Sequence, residues 1–132
     1  MSKTTLFHSL SFHDPAAAMT FLEAVGFTRA AVYTDDAEPR RVVHAQYDWR
    51  NSGGVMFGSA RADPGDGTAS TGHGQCYCVV ETDAEVDAVH DRAVAAGATS
   101  LRRPEDQDYG GRACTVRDAE GNQWSFGSYP GE

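Results

Sequence analysis

Five histidines and three cysteines hold most of the chemistry this chain could perform. His8, His13, His44, His73 and His90 are scattered, with no His-x3-His or His-Glu-x2-His pair to fix two ligands on one helix face. His8 shares strand parity with Leu10 and Phe12 and reads as a core or strand-end residue. His13 precedes a helix cap, and His73 and His90 read as solvated. His44 keeps a functional reading: alternation groups it with Val42 and Gln46, and it would serve as general base if the protein is an enzyme. Cys76-x-Cys78 lacks the spacing of a redox pair, and alternation puts both thiols on one face beside Val80, as small buried groups. Gly65-x-Gly67 and Gly72-x-Gly74 neither follow a strand nor open a helix, which argues against phosphate cradling. Gly-x-Ser-x-Gly is absent, and Ser9, Ser11 and Ser125 have no evident base partner.

Bulk properties narrow the classes further. A net charge of −8 over 132 residues argues against a nucleic-acid or anionic-membrane surface. Cys76, Cys78 and Cys114 are an odd number without a spaced framework, which reads as reduced thiols. No apolar run approaches the roughly 18 residues of a membrane span, and the N-terminus carries no signal-like run. The expectation is a soluble, cytoplasmic protein.

The elements that would position these groups come in two sets. Thr5–His13 alternates and predicts a strand. Asp14-Pro15 opens a helix with Ala18, Phe21, Leu22 and Val25 on one face, and Gly26 ends it. Strands are predicted at Thr28–Thr34, Arg41–Asp48 and Val55–Ala60. The polar, glycine- and proline-rich 61–74 segment reads as a linker or mobile flap. The plan then repeats: strand Gln75–Glu81, a capping box at Thr82-x-x-Glu85, a helix ended by Gly97, and strands Leu101–Arg103, Arg112–Arg117 and Gln123–Tyr129, with Pro104–Gly111 as a loop. Wording repeats with the plan. Met56-Phe-Gly-Ser answers Ser125-Phe-Gly-Ser, Gly26 answers Gly97, and Asp48 answers Asp118, each about seventy residues on. The fold class expected is α+β, two βαβββ modules whose sheets curl around a cleft.

Asp14-Pro-x3-Met-x-Phe-x3-Val-Gly-Phe, Arg92-Ala-x3-Gly-Ala and Tyr109-Gly-x-Arg-x3-Val-Arg-Asp-x2-Gly-Asn-x-Trp-Ser-Phe together resemble the vicinal oxygen chelate superfamily, which includes glyoxalase I, bleomycin-resistance proteins and extradiol dioxygenases. The likeness spans the whole chain. It implies one glyoxalase/bleomycin-resistance-like domain over residues 1–132, with modules at about 5–60 and 75–130. It also implies a cleft that holds a divalent metal in the enzymes, through His from the first strand of each module and Glu from the last. Carried over, those positions are Phe7, Met56, Ser125 and one residue among Gln75–Cys78. None is His, Asp or Glu, and a phenyl ring or thioether does not hold a hard cation. The resemblance then implies a cleft without metal or cofactor that binds a small organic molecule, as in bleomycin-type antibiotic resistance. The alternative is a glyoxalase-like lyase or isomerase, or a dioxygenase-like enzyme, with non-standard ligands.

The expected lining of that cleft is Phe7 and Ser9, His44 and Gln46, Met56, Tyr77, Arg112 with Cys114, and Ser125. Apolar walls with a few polar anchors suit a flat, neutral or cationic organic guest. Trp49, at a hairpin tip, would serve either the guest or a dimer interface. A homodimer is expected, since open curled sheets leave edges for a two-fold partner to cover.

Overall fold

The computed structural model describes residues 4–60 and 71–132. The first module comprises β1 (Phe7–Phe12), α1 (Pro15–Val25), β2 (Thr28–Thr34), β3 (Val42–Trp49) and β4 (Gly53–Ser59). The second comprises β5 (Gln75–Val79), α2 (Asp83–Ala95), β6 (Thr99–Asp106), β7 (Arg112–Arg117) and β8 (Gln123–Gly127). Each makes its own four-stranded mixed sheet, in the orders β1-β4-β3-β2 and β5-β8-β7-β6. The first and last strands of each module pair in parallel; the remaining pairs are antiparallel. Ten residues of the expected linker, 61–70, lie outside the described residues.

Both helices start as their sequences dictate. The Asp14 carboxylate accepts from the Ala17 N–H at 3.1 Å, and Pro15 occupies the first turn. The Thr82 hydroxyl accepts from the Glu85 N–H at 3.1 Å, while the Glu85 carboxylate reaches past the cap to the Glu81 N–H at 3.0 Å. Gly26, at φ 120°, closes α1 in a conformation that a side chain would strain.

Several element boundaries differ by one to three residues from the sequence expectation, and two of them have a clear physical reason. β6 continues through Pro104 to Asp106, where a loop was expected. It is an edge strand paired only with β7, its register slips between Arg102 and Glu105, and a missing N–H is tolerated there. Gly53 and Gly54, expected in a turn, begin β4. A Cβ on Gly54 would sit 2.6 Å from the Tyr47 carbonyl oxygen, so glycine lets β3 and β4 approach.

The helix-facing sides of the two sheets merge into one core. Phe21 and Phe27 of the first module pack on Trp124 of the second, with ring centroids 5.8 and 5.7 Å apart. Trp49 lies 4.9 Å from Phe27 and 5.9 Å from Phe126, and its indole N–H donates to the Val79 carbonyl at 3.0 Å. Main-chain contacts bind the seam further. The Glu120 carboxylate accepts from the His13 and Asp14 N–H groups at 2.7 and 2.8 Å, and Arg92 Nε donates to the Ala24 carbonyl at 2.8 Å. Arg50 pairs with Glu85 across the same seam. No helix among the described residues is long and apolar enough to cross a membrane.

Candidate ligand groove

Register decides which residues share a face. On the side of the first sheet turned from α1, Ser9, Met56, Gln46 and Ala31 form one cross-strand row. The second sheet has the matching row Tyr77, Ser125, Thr115 and Arg102. The fifth-strand position left open by the sequence is thus Tyr77, and Ser9 rather than Phe7 lies opposite Met56; Phe7 sits one step along, opposite Gly54. Thr115 and Ser125 hydroxyls are 2.8 Å apart, and Gln46 Nε2 donates to Asp48 at 2.9 Å. These rows contain hydroxyls, an amide, a thioether and a guanidinium. Such a donor set does not fit a hard divalent cation, which needs several carboxylates or imidazoles aimed at one point. Among the described residues no three His, Cys, Asp or Glu side chains converge in that way.

Three expected lining residues, Arg112, Cys114 and Trp49, are placed differently, and His44 keeps its face but not its grouping with Val42. Arg112 is turned to the helix side: its guanidinium bonds Asp87 of α2 and Asp106 at 3.0 and 3.2 Å, so it does not line the outer face. Cys114, one alternation on, is fully buried in the core, and burial pushes its thiol up to about 11. The register shift between Tyr33 and Thr34 separates His44 from Val42, which is buried in the core. His44 stays on the outer face, stacked on Tyr33 with centroids 6.4 Å apart, two strands from β1. Trp49 is only 8% exposed, a core residue joining the modules, although the hairpin tip suggested otherwise. A long β3 and the left-handed Arg50, at φ 55°, turn its indole inward.

The residues the structure does bring together line a groove between the free edge of β5 and the start of β1 and β4. Its volume is about 610 Å3, and Phe7, Phe27, Trp49, Tyr77, Cys76 and Cys78 are among its walls. Tyr77, 43% exposed, lies across Gly127 and donates to the Tyr129 carbonyl at 2.9 Å. Tyr77 also borders a shallower pocket with Ser125. Ser9 lies in a neighbouring pocket beside Gly72, His73 and Gly74. His8 reaches the groove from the core side, its ring 6.1 Å edge-on from Trp124, and burial holds its imidazole below the ordinary value. Phe27 and the two thiols were missed as lining. Alternation had put Cys76 and Cys78 on the core side correctly, but nothing in sequence showed that the groove opens onto that side.

Comparison with known proteins places this geometry. The profile of the Glyoxalase/Bleomycin resistance protein/Dioxygenase superfamily matches residues 8–126. TioX from Micromonospora sp. ML1 is 27% identical, with a TM-score of 0.71, covering 96% of this chain and 98% of that one. A glyoxalase/bleomycin resistance protein/dioxygenase family enzyme from Burkholderia phytofirmans PsJN is 20% identical, with a TM-score of 0.71 and coverage of 92% and 94%. Lactoylglutathione lyase from Agrobacterium tumefaciens is 17% identical, with a TM-score of 0.65 and coverage of 96% and 93%. A search of curated sequences returned no match. With the profile spanning both modules and the same fold in these structures, the chain belongs to the Glyoxalase/Bleomycin resistance protein/Dioxygenase superfamily.

Proposed function

We propose that this protein binds a small, flat organic molecule and holds it without converting it, in the manner of a sequestering protein. The observation that carries this reading is the β1–β5 groove: about 610 Å3, walled by Phe7, Phe27, Trp49 and Tyr77. That volume falls within the roughly 300–1,000 Å3 of ligand pockets. The rows that hold metal in the family's enzymes support it, since Ser9, Met56, Tyr77 and Ser125 offer no hard-cation chemistry. The acidic chain favours a neutral or cationic guest. Because Arg112 is occupied by Asp87 and Asp106, it is not assigned as an anchor for an anionic group of the guest.

A second copy completes the site in this reading. Tyr33 is 62%, Tyr109 59% and Leu101 42% exposed, and a two-fold partner would cover such apolar surface. Three free thiols fit a reducing, cytoplasmic setting.

Titration with planar heteroaromatic compounds, followed by Trp49 fluorescence, tests the reading. Saturable quenching near micromolar, weakened at least tenfold in Tyr77→Ala, with the compound recovered unchanged, is the expected result. Turnover of a glutathione hemithioacetal or a catechol, lost in His44→Ala, would overturn it in favour of an enzyme. Light scattering that gives the mass of one chain at micromolar concentration would remove the second copy.

A further inference from the structure

Cys76 and Cys78 are walls of the groove to which the organic-ligand reading gives no chemistry, and their placement is unusual for buried thiols. They stand two residues apart on one face of a strand that is an edge, so their side chains run parallel. Their Sγ atoms are 3.9 Å apart, and both line the groove. Cys78 is only 3% exposed and Cys76 is half-buried, so the pair is reached from the groove, with Cys76 outermost. The surrounding walls, Phe7, Phe27, Val55 and Trp49, are apolar.

A separation of 3.9 Å is too long for a disulfide as it stands and close to the span of two sulfurs on one soft centre. Two thiolates at about 2.3 Å from a tetrahedral ion lie roughly 3.8 Å apart. A divalent ion, however, wants four donors, and this groove supplies two thiols with only His8 nearby. A trivalent arsenic carrying one carbon substituent wants two sulfurs and no more. Its dithiolate product is neutral, so an apolar groove imposes no charge-burial cost on it. The carbon substituent has the aromatic walls to lie against.

We propose that Cys76 and Cys78 form a chelating dithiol site for monosubstituted trivalent arsenicals, with the organic group lying in the β1–β5 groove. The order of events follows from exposure, since Cys76 is the outer thiol. Either sulfur can donate in the bond between them; that bond lowers the Cys76 thiol from its ordinary value, while the same bond and burial raise Cys78. Cys76 therefore attacks first. Its sulfur replaces one hydroxyl of R–As(OH)2, which leaves with the thiol proton as water. The Cys78 sulfur then replaces the second hydroxyl, its proton leaving in a second water. Two As–S bonds form, two As–O bonds break, and no oxidation state changes.

Phenylarsine oxide is the probe, with the adduct read by intact mass spectrometry. The full-length protein should take up one phenylarsenic(III) group with loss of two thiol hydrogens, and keep it under excess monothiol but yield it to a small dithiol. Because the second sulfur acts at millimolar or higher effective concentration, Cys76→Ser should lose the adduct at monothiol concentrations on the order of a hundredfold lower. Cys78→Ser should do the same, and Cys114→Ser should behave as wild type. Should Cys78→Ser fail to fold, the half-buried Cys76→Ser decides alone. Retention in Cys76→Ser, loss in Cys114→Ser, or no monothiol-resistant adduct on the wild type would each overturn the proposal. The mass readout uses no heteroaromatic compound, so a protein that binds none of them still tests the proposal, and failure of the one reading is told apart from failure of the other.

Discussion

Asp48 and Asp118, matched by wording, fall one residue apart in the two ladders: with Gln46 set on Thr115 and Met56 on Ser125, Asp118 answers Trp49, and the two aspartates are put to opposite uses. Asp118 is buried, and its carboxylate accepts from the Glu120 N–H, the Asn122 N–H and side-chain amide, and the Trp124 indole, at 2.9 to 3.0 Å. It organises its hairpin and fixes the largest side chain in the core. Asp48 points outward and accepts from Gln46. The inward place at that hairpin belongs to its neighbour, Trp49, which crosses to the second module. One half thus builds its turn around a buried carboxylate; the other spends the equivalent turn on joining the halves. Wording marks the shared backbone plan, but register decides which side chains are equivalent, and here an inward indole answers an inward carboxylate.

Asp118→Ala should therefore strand four donors, three of them buried, and lower stability by about 3 kcal/mol, whereas Asp48→Ala should cost roughly 0.5 kcal/mol or less. Chemical denaturation of the two variants measures this, and equal losses would erase the contrast. Trp49→Phe removes the indole bond to Val79 and part of the volume packed on Phe126, and is expected to cost about 2 kcal/mol in the same assay. A value near zero would mean that the hairpin tip contributes nothing to joining the modules. Gly127→Ala would place a methyl within 2.2 Å of the Tyr77 hydroxyl, which must swing away. The expected cost is about 1 kcal/mol, with a larger proportional loss of heteroaromatic binding. Unchanged binding would take Tyr77 out of the groove's recognition surface.

The smallest effect expected concerns pH. His8, in the first module, is held below its ordinary 6.5 by burial, so the unfolded chain takes up a proton more readily than the folded one. The stability this represents is whole above pH 6.5 and drains away as the pH falls below it toward the depressed value. His8→Gln should flatten the melting temperature between about pH 7 and pH 5. A wild-type slope unaltered in that variant would place the sensitivity elsewhere.

The two-module plan was readable from the chain because it rests on local signals: the Asp14-Pro15 and Thr82-x-x-Glu85 starts, the Gly26 and Gly97 stops, and strand alternation. Met56 and Ser125 were matched by wording, and register put them in equivalent rows. What failed depended on the third dimension. Parity assigned His44 and Val42 to one face because a register slip inside β3 leaves no mark on the sequence. Arg112 was read as lining because its partner Asp87 is 25 residues away on a helix. Trp49 was read as peripheral because a hairpin tip is usually solvated, and the second module that buries it is invisible from the first.

The carboxylate of Glu120 completes the start of α1 from 107 residues away. A duplicated gene ordinarily leaves two copies that can still part company; here one copy keeps the opening turn of the other's helix. A fragment ending near residue 60 would begin α1 without that acceptor and leave Phe21 and Phe27 with no Trp124 to cover them. Each half closes its core on residues of the other, so a cut between them uncovers Phe21, Phe27 and Trp124 together.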